Sequence, residues 1–172
     1  MDLTTIVIAC LALVVFIVPI MYLQRNQKQK TGEASAEFLA LAEQQQARLT
    51  KHELWNDRYA IGLDEGQKKL LYLRKDDVQE QKLFLHLADF KKSTVSSESR
   101  DVNGTKVFDL IELRLAPRNP KHAEVRLEFY NKEVSIMLSG EMLLAQKWSS
   151  LISASIAEAS PAGAASEKVV SA

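Results

Sequence analysis

The stretch "LTTIVIACLALVVFIVPIMYLQ", residues 3–24, carries no charged side chain. A helix rises 1.5 Å per residue, so roughly 20 apolar residues cross a bilayer core. Residues 3–24 are therefore expected to form a transmembrane helix. Pro19 falls near the far end of the run, where lipid tolerates a kinked helix. Tyr22 lies at interface depth. A cleaved signal peptide fits these residues less well. The start carries Asp2 and no basic side chain, the apolar run is longer than a signal core, and the cleavage-like "ASA" at 34–36 lies beyond a polar stretch. Arg25, Lys28 and Lys30 follow the run, and no Lys or Arg precedes it. Positive flanks stay in the cytoplasm. The expectation is a single-pass protein of the cell membrane with its N-terminus outside and its C-terminal domain cytoplasmic.

The 172 residues leave room for one domain of ordinary size after the span. Lys plus Arg and Asp plus Glu both number 22, for a net charge of zero. A balanced chain is a poor match for nucleic acid, whose phosphates need a basic excess or face. Cys10 is the single cysteine, which excludes an intramolecular disulfide and a cysteine-cluster metal site.

Residues 25–53 read as a polar stalk followed by a juxtamembrane helix. The segment "ASAEFLALAEQQQARLTKHELW" is rich in good helix formers. Phe38, Leu41, Ala42, Gln45 and Leu49 share one side at helical spacing. Such a stripe fits a helix packed on the domain or a solvated spacer. It also fits a short coiled coil that would make a homodimer through residues 34–50.

From Asp57 the period changes to two. Tyr59, Ile61 and Leu63 alternate, "DEGQ" turns, and "KKLLYLRK" returns. "KDDVQEQ" reads as a charged, solvated loop, and "KLFLHLADF" places Leu83, Leu85 and Leu87 on one face. "KKSTVSSESR" reads as an edge strand, because lysines and polar side chains protect exposed backbone. Asn103-Gly104 between two extended runs predicts a type I′ hairpin, since both central residues need positive φ. The "NGT" it opens also fits a glycosylation pattern, but reads here as turn. Ile111, Leu113 and Leu115 alternate after it; Pro117 and Pro120 mark a loop. Val125, Leu127 and Phe129 form the next alternation, and Val134, Ile136 and Leu138 a last one. Hairpin-linked strands of this kind build an antiparallel sheet or barrel.

In "EMLLAQKWSSLISASI" the residues Leu144, Ala145, Trp148, Leu151, Ile152 and Ile156 share one helical face. This amphipathic helix can plug the open end of a curled sheet, with Trp148 as its structural anchor. The tail from 157 to 172 is rich in small residues and predicts disorder.

The order of strands then helix, with Trp148 in "LAQKWSSLI", resembles the pleckstrin-homology-like superfold over about residues 57–156. The resemblance implies a mainly β domain, taken as 54–156: an antiparallel seven-stranded split barrel closed by the C-terminal helix. It does not by itself imply a function, because the superfold hosts lipid, peptide and protein binding. Lipid-binding members use basic residues in and beside the first hairpin, which makes Lys68, Lys69, Arg74 and Lys75 candidate phosphate contacts. Asp64, Glu65, Asp76 and Asp77 sit among them and offset much of that field.

Catalytic and metal-binding patterns are missing. His52, His86 and His122 lack metal-ligand spacing, and neither a nucleophile elbow nor a glycine-rich phosphate loop occurs. No catalytic residue, metal or cofactor is assigned, and no enzyme is expected. The expected function is a membrane-anchored scaffold or adaptor that docks another membrane or cytoplasmic protein. The alternative is a lipid- or small-molecule-sensing module at the inner face of the membrane.

Overall fold

A computed structural model describes residues 32, 34–76, 80–135 and 137–159. The span expected at 3–24, the stalk before residue 32 and the tail beyond 159 lie outside the described residues. No helix among the described residues is long and apolar enough to cross a membrane. The chain divides into two units, Met1–Leu41 and Ala42–Ala172.

A first helix, α1, runs over residues 34–44. It stops in a left-handed turn: Gln46 has φ 53°, its N–H donates to the Glu43 carbonyl, and the Ala47 N–H reaches back to the Ala42 carbonyl at 2.9 Å. This is the Schellman arrangement with glutamine in the position glycine usually fills. The stripe expected to run on to Gln45 and Leu49 therefore ends early.

Seven strands follow: β1 (Lys51–Trp55), β2 (Tyr59–Asp64), β3 (Lys69–Lys75), β4 (Glu80–His86), β5 (Phe90–Val102), β6 (Thr105–Pro117) and β7 (Val125–Asn131). The last element among the described residues is α2 (Glu141–Glu158). The strands form two antiparallel sheets, β1-β2-β3-β4 and β5-β6-β7. The expected mainly β class and C-terminal helix are thus present. A barrel is not, because neither sheet closes on itself.

The seven strands are not the expected seven. Lys51–Trp55, expected as the distal part of the helix, pairs with Tyr59–Leu63 around a three-residue loop in which Asn56 and Asp57 both have positive φ. Its residues are fair helix formers, but sheet pairing overrides so weak a preference. Conversely, Val134 sits in a turn and residues 137–139 have no regular structure. Asn131 starts that turn, accepting the Glu133 N–H at its side chain at 3.0 Å and the Ser135 N–H at its carbonyl at 2.9 Å. A strand here would have to pair with the outer edge of β7. Two carbonyls of β7 are already taken, by the Trp55 indole N–H (to Phe129, 2.9 Å) and the Tyr72 hydroxyl (to Glu128, 2.6 Å).

One core lies between the sheets and the helix. Tyr59, Ile61 and Leu63 of β2 meet Ile111, Leu113 and Leu115 of β6, Leu127 and Phe129 of β7, and Trp148 of α2. Every α2 position expected to face inward is buried or half-buried, and Trp148 is 1% exposed. The Asn103-Gly104 turn forms as expected, with φ 54° and 79°. A Cβ at Gly104 would meet nothing, so the positive φ alone selects glycine there.

Candidate functional site

The four basic candidates do not converge. Lys68 and Lys69 stand at the β2–β3 turn, whereas Arg74 and Lys75 end β3, about 20 Å away at 3.3 Å per residue. Lys69 and Lys75 also face the opposite side of the sheet from Arg74, because strand side chains alternate. Lys68 pairs with Glu158, and Lys69 reaches the Gln45 carbonyl. Arg74 pairs with Glu128 and Asp76.

Arg74 instead belongs to a polar seam joining the two sheets. Glu128 of β7 accepts from the Tyr59 hydroxyl at 2.8 Å, Arg74 Nη1 at 3.3 Å and Asn131 Nδ2 at 3.2 Å. Burial first, and the Glu128 carboxylate second, hold the Tyr59 phenol far above its ordinary pKa of 10.0. Burial likewise raises Tyr72. Both hydroxyls are therefore donors at any working pH. Asp76, expected in a solvated loop, bridges Arg58 and Arg74 at 3.3 and 3.0 Å. The sequence signal for this seam was weak, because Glu128 reads as the polar half of an ordinary alternation.

Two further carboxylates are structural. Glu141, 3% exposed at the start of α2, accepts from Asn56 Nδ2 at 2.9 Å and the Ser139 N–H at 2.5 Å. The helix N-terminus favours that negative charge. Asp64, also 3% exposed, holds the β2–β3 turn through the Gln67 N–H at 2.9 Å and the segment after α1 through the Arg48 N–H at 2.7 Å. Burial pushes its carboxyl up, but the backbone donors of Gln67, Arg48 and Gly66 outweigh that, leaving the pKa below its ordinary 3.8. A depressed folded pKa means stability present above the unfolded value and lost as pH falls through the folded one. Asp64→Asn is expected to cost about 1–2 kcal/mol at neutral pH and to flatten the acid limb below about pH 4. Urea titrations from pH 2 to 7 measure both.

Two recesses among the described residues are small or open. A recess lined by Gln45, Ala47, Leu71, Phe84 and His86 holds about 70 Å³, too little for a metabolite. A shallow cleft of about 420 Å³ lies between the β1–β2 turn and the start of α2, beside exposed Leu143. No metal-ligating group of side chains occurs among the described residues.

What stands out is a sheet edge. Two open sheets have four edge strands, β1, β4, β5 and β7. β7 is capped by Trp55 and Tyr72. β1 is short, and its charges are engaged: Lys51 with Glu65, and Glu53 with Lys147 at 2.5 Å and the Trp148 indole at 2.6 Å. On β4, Lys82 pairs with Glu80. Among the described residues β5 is the longest edge, at 13 residues, and pairs only with β6. Its buried Ser93 meets Ser149 of α2 at 3.1 Å, and from Ser97 onward it is exposed. The edge expected over residues 93–100 is this strand. No protein-family model matches the chain, and no curated protein or solved structure matches it.

Proposed function

We propose that this chain is a non-catalytic, membrane-anchored adaptor whose cytoplasmic domain docks a partner by strand addition at β5. A partner strand would complete the row of N–H and C=O groups that β6 leaves unmatched, with pockets between alternate side chains adding selectivity. The observation that carries the proposal is the length and one-sided pairing of β5. The apolar run at residues 3–24 and the basic flank Arg25, Lys28 and Lys30 support a single span with the domain inside. A tether of this kind raises the domain's effective concentration for partners in the same membrane. Four strands, three strands and a C-terminal helix with buried Trp148 support a pleckstrin-homology-like architecture. The scattered basic side chains, with Lys68 and Arg74 already in ion pairs, give lipid phosphate recognition no comparable support.

The test places a photo-crosslinking residue at Thr94 or Ser96 of the full chain in membranes. The expected result is a discrete protein adduct from both positions and none from Phe84 on the β4 edge. Equal labelling from Phe84, or lipid adducts alone from β5, overturns the reading.

A further inference from the structure

The β5 edge is complementary to itself. Its pairing with β6 is broken twice, between Phe90 and Lys92 and between Glu98 and Ser99. Irregularities of this kind bend a strand and end regular pairing. The regularly paired stretch between them is Lys92–Glu98, "KSTVSSE", without proline or glycine. Lys92 and Glu98 stand at its two ends, equally far from Val95. In register, Lys92, Thr94, Ser96 and Glu98 share one face, and Ser93, Val95 and Ser97 the other, toward Leu115, Leu113 and Ile111 of β6.

We infer that the partner accepted by β5 is a second copy of this chain, paired antiparallel about a two-fold axis at Val95. In that register Lys92 of each copy lies opposite Glu98 of the other, Thr94 opposite Ser96, Ser93 opposite Ser97, and Val95 opposite its own equivalent. Directly opposed residues of an antiparallel pair point to the same face, so both Lys–Glu contacts form on the outer face. Lys92 and Glu98 are exposed, and neither has an ion-pair partner among the described residues. The other edges do not offer this symmetry, because the charges of β1 and β4 are already engaged and β7 is capped. The result joins two three-stranded sheets into one continuous sheet of six. A lysine on an edge repels most strands; an acidic residue opposite it turns that same lysine into a selector for this register. The isologous contact closes on itself, so it makes a dimer and no fibre.

This inference rests on the docking reading of the same edge, and one experiment separates the two. In full chains carrying Cys10→Ser in membranes, Thr94→Cys and Ser96→Cys chains are co-expressed and oxidised. The expected product is a disulfide dimer of twice 19.3 kDa, formed more from the mixture than from either variant alone. Adding Lys92→Glu or Glu98→Lys alone to both chains should lower its yield roughly tenfold, because each places like charges opposite one another at two symmetric points. Combining both reversals should restore it. A yield indifferent to charge, or not restored by the double reversal, overturns the dimer. A β5 photo-adduct to a different protein, with no self-product, overturns the dimer while sustaining docking. Neither product overturns both.

Discussion

Trp148→Ala is expected to lower the unfolding free energy by about 3–5 kcal/mol, the range for truncating a fully buried aromatic side chain. Trp148 is 1% exposed and packs in the core between the two sheets. Its indole N–H also donates to Glu53 Oε2 at 2.6 Å, tying α2 to the edge of the first sheet. The truncation removes both the apolar filling and that donor, leaving Glu53 with Lys147. Trp148→Phe keeps most of the filling and loses the hydrogen bond, so a smaller loss of about 1–2 kcal/mol is expected. Urea unfolding of the detergent-solubilised chain, followed by circular dichroism, resolves the two. A loss under about 1 kcal/mol for the alanine variant would mean that the helix does not anchor the core.

Glu128→Ala is the second large effect, expected at about 2–3 kcal/mol, because the donors it strands lie in a partly buried seam. Three donors, from Tyr59, Arg74 and Asn131, lose their acceptor at once. Arg74 retains Asp76, and the Tyr72 hydroxyl retains the Glu128 backbone carbonyl. The variant therefore weakens the joint between the sheets without removing it. The Tyr59 pKa should fall when the carboxylate goes, yet stay above 10.0, since burial is the larger cause of its shift. A double-mutant cycle of Glu128→Ala with Tyr59→Phe, read by urea unfolding, isolates the Tyr59–Glu128 contact. A coupling near zero would show that the seam does not hold as described.

Residues differ sharply in how far local pattern could reveal their roles. Asn103-Gly104 was legible because type I′ geometry is written into two adjacent residues. The inward face of α2 was legible because a helix packed on one side repeats its apolar residues at a fixed angle. "KKSTVSSESR" was legible as an edge because an exposed backbone row selects polar and charged neighbours. The end of α1 was not, since glutamine fills the left-handed position that glycine usually marks. The separation of Lys68 and Lys69 from Arg74 and Lys75 was not legible either. Proximity in sequence around a hairpin becomes separation along its strand.

Sequence alone determined the period-two region, its tight turns, the polar edge and the apolar helix that ends the described chain, because each depends on neighbours within a few residues. Tertiary structure decided which seven segments became strands. Lys51–Trp55 is extended because β2 offers it a partner and α2 meets its Glu53. Residues 137–139 are irregular, and two carbonyls of β7, those of Phe129 and Glu128, are held by Trp55 and Tyr72, side chains 74 and 56 positions away. Hydrogen bonds across such separations leave no local trace, because a backbone carbonyl can be satisfied from any part of the chain.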